Sequence, residues 1–475
     1  MLTSALQPIT SAELDEKLEA WLSEKSDTEL LAPETKEIIV FINDQRGQRD
    51  LSGMSFVQAL TTHKKSEQAY VQSMSRILER SYKELKSEDR LWASKAFVAP
   101  SSKALLRKLK DDPRIEAIIE NERIFLGEPL KTRGKVKTKE NELTYGLQLI
   151  KAAEAWSRGV EGENVVVGII DSGIDHEHPD LQGKILLHKD FTRDGHTNDR
   201  NGHGTHVAGT IAGGNASGTQ IGVAPKAKLI IAKVFDDKGS TSMATLLKAM
   251  EWMLNPDEEP TTNDAPRVVN NSWGANSQFI LGFRNIVQTW RRFQVFPNFA
   301  AGNSGPRWMS TGAPARYPFS YAVGAVDESA QVTGFSSRGP SLWLRGWLTD
   351  EELPWYKRWM PTLLKKPEIS APGYQVLSSL PEGKYGRFSG TSMATPHISG
   401  VIALMLQANP LMSVDQIEEI LNTTTMPLRG EGKNNATGHG LVQANMAVQA
   451  SSLIQGELSD RFVDADLSAW EWQTP

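Results

Sequence analysis

The sequence predicts an α/β fold: a three-layer domain with a mostly parallel sheet, preceded by a small α+β domain. Residues 165–170 form a continuous aliphatic, mostly β-branched run, which is typical of a strand buried on both faces of a parallel sheet. From there to residue 421, predicted strands alternate with predicted helices. Because such alternation places helices on both faces of a sheet, we expect the parallel sheet to be covered on both sides.

Length and composition bound the kind of protein. The chain has 475 residues, a formal net charge of −5 and no cysteine. The length predicts two or three domains, the mild charge gives no support for binding nucleic acid or a membrane surface, and the missing thiols exclude disulfides and cysteine catalysis. Residues 1–31 lack the basic and apolar regions of a signal peptide, and no apolar run is long enough to cross a membrane. We therefore expect cytoplasmic synthesis, with leaderless export left open.

Residues 1–35 are predicted to form a helical arm. Thr10 and Glu13 have the spacing of a capping box. The apolar face that follows at helical spacing consists of Leu14, Leu18, Trp21 and Leu22. Two roles stay open for the arm: a helix that docks a partner, or a helix packed on its own neighbour.

Residues 36–128 are predicted to form a small α+β domain, a sheet that carries two helices. In chain order, we predict a strand at 38–42, a helix at 66–85, a strand at 92–98, a helix at 101–109 and a strand at 115–119. A basic segment follows at 129–142, with lysine or arginine at every second position from 131 to 139. Such an unpatterned charged run is typical of a solvated linker.

The remaining elements belong to the larger domain, residues 143–450. After the first strand, we predict strands at 229–234, 268–270, 293–299, 321–326 and 375–378. The predicted helices are 203–213, 245–253, 280–292, 398–406 and 413–421. Residues 451–475 form an acidic tail, for which a disordered end is the default expectation and a docking peptide is the alternative.

Three motifs place an acid, a base and a nucleophile at predicted edges of the sheet. Asp171 directly follows the first strand, where open α/β sheets place their sites. His203 stands between glycines at the start of a helix, and Ser392 stands in Gly-Thr-Ser-Met-Ala-Thr-Pro-His before the apolar segment 398–406. A helix N-terminus favours the negative charge that forms when a serine attacks a carbonyl. Together the three residues supply an orienting carboxylate, a general base and a nucleophile.

These motifs, in the order Asp, His, Ser, resemble those of the subtilisin-like serine proteases over residues 143–448. The resemblance implies that Asp171 orients the imidazole, that His203 takes the proton from Ser392 Oγ, and that Ser392 forms the acyl-enzyme. It also implies that Asn303, in Ala-Ala-Gly-Asn-Ser-Gly, donates to the oxyanion beside the Ser392 N–H.

The resemblance further implies a groove that holds peptide substrate as an added β-strand. By resemblance, the substrate-binding residues are Gly239, Ser240, Thr241, Met243, Leu246, Ser272, Trp273, Gly274, Ala301, Gly302 and Gly312. Gly312 is expected at the floor of the S1 pocket, where its size leaves room for a large apolar side chain. Met243 and Leu246 match an apolar S4 pocket, beside which Trp273 replaces a common leucine. The expected specificity is broad and mainly apolar.

By position and pattern, the domain at 36–128 resembles the propeptide of the same family, which assists folding and then inhibits the enzyme. The resemblance implies self-cleavage near residues 126–128, followed by trimming of the linker in trans. A linker that is never cut is the alternative.

Two features depart from the family pattern. The resemblance implies a structural calcium ion bound by Asp180, with Asn141 and the loop 214–220 contributing oxygens, yet Ala216 stands where a side-chain ligand is expected. The role of Asp180 therefore stays open: it is either a calcium ligand or a turn cap.

The insertion 341–365 contains four tryptophans. It is either a patch that faces a protein partner or membrane, or a segment packed on the body.

Three functions remain in competition. The leading one is a serine endopeptidase made as a self-inhibited zymogen, whose chemistry requires no cofactor. The second is a transpeptidase or cyclase, in which an amine instead of water resolves the acyl-enzyme. The third is a regulatory protein whose propeptide never leaves.

Overall fold

The computed structural model describes residues 13–24, 34–44, 46, 51, 54–127, 129–131, 142–259, 262–275, 282–344 and 361–454. Several predictions fall outside these residues: the start of the arm with Thr10, most of the basic linker with Asn141, the middle of the insertion, and the tail after residue 454. Within the described part of the chain, no helix is long and apolar enough to cross a membrane.

The N-terminal domain is a sheet with helices packed on it. Among the described residues its strands are, in spatial order, Glu13–Leu14, Ile115–Glu120, Thr35–Ile42, Ala96–Ser102 and Arg90–Leu91. Its helices are Glu16–Ser23, Phe56–Ser81 and Lys103–Leu109. Side chains alternate along the central strand: Val40 lies in the core of this domain, whereas Ile39 and Phe41 lie in a core shared with the larger domain. Both faces of the strand are covered, which explains its continuous apolar run.

Two predicted elements of this domain have different bounds. The helix predicted at 66–85 begins ten residues earlier, because Ser55 and Gln58 form a capping box there. The strand predicted at 92–98 is interrupted by a turn, in which Lys95 has a φ of 52°. That value lies outside the β region, so the strand begins only at residue 96.

The described part of the arm packs on the N-terminal sheet. Glu13 lies in a short strand that runs parallel to Ile115–Glu120. The helix begins instead after Asp15, whose Oδ1 accepts from the Leu18 N–H at 2.7 Å. Leu18 and Trp21 are buried in the core of the domain.

The larger domain is built on a parallel sheet. Within the described residues it has seven strands, in the spatial order Ile185–Asp190, Lys228–Lys233, Val166–Asp171, Val268–Asn271, Phe296–Ala300, Tyr321–Val326 and Ile369–Pro372. Helices His203–Ala212 and Thr391–Ala408 cover one face, and Met243–Trp252 and Arg284–Arg292 cover the other. The predicted three-layer α/β fold is confirmed.

Shorter elements surround this sheet. Among the described residues, the further helices are Tyr145–Leu149, Ala152–Trp156, Val414–Thr423 and Ala444–Leu453. The small sheets pair Thr219–Gln220 with Glu142–Leu143, Arg123–Phe125 with Ser240–Ser242, and Ser341–Leu344 with Pro361–Leu364. In a further small sheet, Lys384–Ser389 lies between Val376–Leu380 and Leu130–Lys131. The strand predicted at 375–378 thus belongs to an antiparallel sheet outside the main one. Two strands of the main sheet were not predicted: Ile185–Asp190, which is a half-exposed edge, and Ile369–Pro372, whose sequence Ile-Ser-Ala-Pro has little β propensity.

The base of the insertion 341–365 is an antiparallel hairpin. Trp343 is fully buried, meets the Tyr317 ring edge-on at 5.3 Å, and donates its indole N–H to the carbonyl oxygen of Arg316 at 3.0 Å. Leu342 and Leu363, which face each other across the two strands, are exposed. The base of the insertion is therefore packed on the body, while its middle lies outside the described residues.

Candidate active site

The fold brings Asp171 and His203 together. Asp171 ends the strand Val166–Asp171, and His203 begins the helix His203–Ala212, termed the histidine helix below. Both side chains are fully buried, and Asp171 Oδ1 lies 2.8 Å from His203 Nδ1. The carboxylate therefore holds the proton on Nδ1 and leaves Nε2 as the basic nitrogen. His203 Nε2 is buried and has no hydrogen-bond partner among the described residues.

Ser392 lies in the first turn of Thr391–Ala408, termed the serine helix below, and is 8% exposed. Its Oγ donates to the carbonyl oxygen of Ser272 at 2.8 Å, and Ser272 Oγ donates back to the carbonyl oxygen of Ser392 at 2.8 Å. In a regular helix that second carbonyl would accept from the residue four positions on, which here is Pro396 and has no N–H. Ser272 therefore satisfies the acceptor that the proline leaves open.

A buried polar network, missed by the sequence analysis, holds Ser272 and the serine helix on the sheet. Asn270 donates to Ser272 Oγ at 2.9 Å and accepts from Ser399 Oγ at 3.0 Å. Asn298 donates to Ser399 Oγ at 2.8 Å. All four side chains are fully buried. The signal in the sequence was a pair of asparagines within otherwise apolar strands, because buried amides require partners.

Asn303 lies next to the start of the serine helix. Its Oδ1 accepts from the Thr391 N–H at 2.8 Å and from Thr391 Oγ1 at 3.0 Å. Thr391 Oγ1 in turn accepts from the Gly302 N–H at 3.1 Å. The oxygen of Asn303 is anchored by both contacts, and the exposed side chain directs Nδ2 towards Gly390, where this donor has no hydrogen-bond partner within the part of the chain that the structure describes. A donor held in this way is preorganised for an oxyanion.

Asp199 is a second buried carboxylate near the histidine, and the sequence analysis missed it. The side chain is 3% exposed and lies in the loop that leads into the histidine helix. It accepts five hydrogen bonds of 2.8 to 3.0 Å, from Ser172 Oγ, Asn201 N, Gly202 N, Thr205 N and Thr205 Oγ1. Ser172 Oγ accepts in turn from the Gly204 N–H at 3.0 Å.

Two stretches of the chain's own sequence, 123–126 and 130–131, pair with strands of the larger domain. Arg123–Phe125 runs antiparallel to Ser240–Ser242, and the Leu126 N–H donates to the carbonyl oxygen of Gly239 at 2.8 Å. Leu130–Lys131 runs antiparallel to the end of the strand that precedes the serine helix. The predicted groove residues at 239–241 thus contact a segment of this chain in the manner of an added strand.

The predicted S4 residues lie in an apolar cluster between the domains. Met243 and Leu246 are buried in the same cluster as Trp273 and Ile124. Trp273 is 3% exposed, and its ring centroid lies 5.8 Å from that of Phe299. The indole of Trp273 is therefore a buried member of the apolar cluster that also contains Met243 and Leu246.

The predicted S1 residues meet where two chain segments approach closely. Gly274 and Gly312 each face a carbonyl oxygen, which a Cβ would approach to 3.3 and 3.2 Å. The Gly312 N–H donates to the carbonyl oxygen of Ala301 at 3.1 Å, and Gly302 has a φ of 105°. A larger residue at these three glycines would strain the backbone or crowd it.

Asp180 is 2% exposed and accepts at both oxygens. Oδ1 accepts from the Ala216 N–H at 2.6 Å, and Oδ2 accepts from the Tyr385 hydroxyl at 2.7 Å. Burial and the hydrogen bond to Asp180 raise the pKa of Tyr385. A calcium ion takes about six to eight oxygen ligands, whereas the described residues offer one carboxylate that already has two donors, and Ala216 offers no side-chain ligand. They fit calcium poorly, and the contacts are those of a loop cap.

A cluster of Asp194, His196 and Asp237 has the spacing of a metal site. The fully buried ammonium of Lys233 lies 3.3 Å from Asp194 Oδ2 and 3.4 Å from Asp237 Oδ1. The positive charge that this cluster requires is therefore supplied by the protein.

Sequence comparisons identify relatives of this chain. The model of the subtilase family matches residues 162–440. Bacillopeptidase F of Bacillus subtilis is 37% identical over 385 residues, which cover 74% of this chain and 25% of the relative. Subtilisin E of the same species is 32% identical over 397 residues, which cover 82% of this chain and 91% of the relative. The major intracellular serine protease of Bacillus subtilis is 34% identical over 273 residues, which cover 56% of this chain and 75% of the relative. The chain thus spans about a quarter of the first relative and nearly all of the second.

Proposed function

Because the chain belongs to the subtilase family of serine endopeptidases, we propose that it hydrolyses peptide bonds with Asp171, His203 and Ser392 as its catalytic triad. The observation that carries this proposal is the buried pair of Asp171 and His203, whose free Nε2 is the base that a serine nucleophile requires. In this mechanism Ser392 Oγ turns from the carbonyl oxygen of Ser272 to His203 Nε2 and attacks the substrate carbonyl. His203 then passes the proton to the leaving amine, and water resolves the acyl-enzyme.

The negative charge on the carbonyl oxygen needs donors at the moment of attack. We assign this role to Asn303 Nδ2 and the Ser392 N–H. The support is the anchoring of Asn303 Oδ1 on Thr391, since it leaves the amide nitrogen as the end of the side chain that faces the reacting carbonyl.

We further propose that the chain is a zymogen inhibited by its own N-terminal domain. The support is a pair of contacts: Arg123–Phe125 pairs with the groove, and Leu130–Lys131 pairs with the strand before the serine helix. Ser389, the partner of Leu130, lies three residues before Ser392 in the sequence, so self-cleavage is expected between the two pairings, within residues 126–129. The third function considered is a regulatory protein whose propeptide never leaves. It predicts instead that this segment stays intact.

Contacts between the domains support a model in which the N-terminal domain stays bound and keeps inhibiting the enzyme after self-cleavage. Glu251 of the larger domain accepts from the Ala93 and Ser94 N–H groups at 2.9 and 3.2 Å. Asn121 Oδ1 accepts from the Ala244 N–H at 2.9 Å, in the first turn of a helix that borders the groove and that Ser242 caps at Thr245. These bonds do not involve residues 126–129, so cleavage there would leave them in place.

The proposed substrates are unfolded or extended protein segments, read mainly through the backbone. Pairing with residues 240–242 is sequence-independent, because it uses N–H and C=O groups. Met243 and Leu246 supply an apolar S4 pocket, and Ile124 of the chain's own segment lies in the same cluster. Specificity that is broad and mainly apolar follows from this arrangement.

Intact-mass measurement of the purified chain beside Ser392→Ala, over time, tests the proposal. We expect cutting within 126–129 in the wild type and none in Ser392→Ala. If both chains stay whole and neither cleaves an added protein substrate, the zymogen and protease assignments both fail.

A peptide substrate assayed with and without a competing amine separates hydrolysis from transpeptidation, since only transpeptidation diverts product to the amine adduct.

A further inference from the structure

The start of the histidine helix has an electrostatic problem that the triad alone does not solve. His203 occupies the first helical position, where the positive end of the helix dipole opposes a further positive charge. Proton transfer from Ser392 creates an imidazolium at that position. The helix is preceded by Gly202, which has no side chain to cap it.

Asp199 fills the place of the missing cap. Three backbone N–H groups of the loop and first helical turn donate to it, and the Thr205 hydroxyl adds a fourth bond. The fifth donor, Ser172 Oγ, belongs to the residue after Asp171 and also accepts from the Gly204 N–H. The Asp199 carboxylate therefore connects the end of the strand that bears Asp171 to the start of the helix that bears His203.

We propose that Asp199 is a positioning residue for the proton transfer: as a carboxylate it aligns the Asp171–His203 pair and supplies a second negative charge that favours the imidazolium. This inference rests on the proposed function. Burial raises the pKa of Asp199, but all five of its partners are donors, and a set of donors favours the ionised form.

Other charged groups near His203 do not supply this charge. Burial lowers the pKa of His206 to about 3 and that of His397 to about 4, so both are neutral where the enzyme would work. The Lys233 ammonium contacts the carbonyl oxygen of Ser172 at 3.1 Å, and the carboxylates of Asp194 and Asp237 lie against it at 3.3 and 3.4 Å. Asp199, by contrast, accepts hydrogen bonds directly from the start of the histidine helix.

The test compares Asp199→Asn with Ser172→Ala, each expressed as the full chain and assayed after self-processing, with active sites titrated by an irreversible serine inhibitor. For Asp199→Asn we expect kcat to fall about tenfold with KM little changed, and the acid limb of kcat/KM to move to lower pH by roughly half to one unit. Removal of a negative charge makes the His203 imidazolium lose its proton more readily, so the acid limb moves to lower pH. Ser172→Ala breaks the same network without changing charge, so it should lower kcat and leave the limb in place.

An acid limb of Asp199→Asn that coincides with that of the wild type would overturn the inference and leave the proposed function untouched. A wild-type chain as inactive as Ser392→Ala would overturn the proposed function first. Should Asp199→Asn fail to fold, the pair Asp199→Glu and Asp199→Gln, which differ in charge alone, repeats the comparison. If the acid limb of kcat/KM lies at lower pH for Asp199→Gln than for Asp199→Glu, the inference is supported. If the two acid limbs coincide, the inference is overturned.

Discussion

Ser392 and Ser272 exchange two hydrogen bonds, each from the hydroxyl of one residue to the carbonyl oxygen of the other, at 2.8 Å. The bond donated by Ser272 fills the acceptor that Pro396 leaves open and is part of the fold. In the proposed mechanism, the bond donated by Ser392 must break before its hydroxyl can turn to His203. Ser272 therefore anchors the serine helix and, under that proposal, is also the acceptor that holds the nucleophile away from its base.

Ser272→Ala should destabilise the protein, because the carbonyl oxygen of Ser392 and Asn270 Nδ2 both lose a buried partner. The expected loss in the free energy of unfolding is about 1–3 kcal/mol. Chemical denaturation in the Ser392→Ala background, which excludes self-digestion, measures it. Ser157→Ala is the control, since that hydroxyl is exposed and donates to the carbonyl oxygen of Glu154. Equal stability of the two variants would contradict the anchoring role.

Asn303→Leu should lower kcat by about 10²–10³ with little change in KM, because the amide acts on the oxyanion and not on the bound substrate. Steady-state kinetics on a chromogenic peptide measures both constants. Thr391→Val removes one anchor of Asn303 Oδ1 and keeps the amide, so its effect should be smaller. A rise in KM with kcat unchanged would assign Asn303 to substrate binding instead.

Glu251→Ala should weaken inhibition by the cut N-terminal domain. The Ala93 and Ser94 N–H groups would lose their acceptor in a buried contact, at a cost of about 1–3 kcal/mol, which corresponds to an inhibition constant roughly 5- to 150-fold higher. The measurement is protease activity against the concentration of added N-terminal domain. Exposed Glu419 provides the control substitution, Glu419→Ala. Identical inhibition curves would show that the contact does not contribute to inhibition.

Stability should fall as the pH drops below about 6.5, in part through His206. Burial lowers its pKa to about 3 in the folded chain, so between pH 3 and 6.5 the unfolded chain binds the extra proton and is favoured. The slope for one such group is about 1.4 kcal/mol per pH unit. Denaturation of Ser392→Ala at pH 7, 6, 5 and 4 should show this decline. His206→Gln, which retains a donor for the carbonyl oxygen of Val376, should show a shallower one; parallel curves would refute it.

Calcium should leave the thermal midpoint of Ser392→Ala unchanged, because Asp180 already has a donor at each oxygen. Tyr385→Phe should lower the midpoint, since it leaves Asp180 Oδ2 buried without its partner. Thermal unfolding with a chelator and with millimolar calcium provides the comparison. A midpoint that rises with calcium would restore Asp180 as a ligand.

Local sequence patterns were enough to predict the layers of the fold. The aliphatic run at 165–170 requires cover on both faces, and the structure places it in the centre of a parallel sheet. The edge strand Ile185–Asp190 was missed for the converse reason: it is half-exposed, so its side chains mix polar and apolar residues. The capping box at Ser55 is a local signal that was present in the sequence and overlooked.

By itself, the sequence determined the α/β class, the family, and the positions of Asp171 after a strand and of His203 and Ser392 at the start of helices. Each of these depends on neighbours along the chain. Only the tertiary structure decided which distant groups meet. Asp199 and Ser172 are 27 residues apart, and Ser272 and Ser392 are 120 apart. No periodicity or motif spacing specifies such contacts; they arise when parallel strands and their helices pack, which brings remote polar groups into one buried place and obliges them to pair.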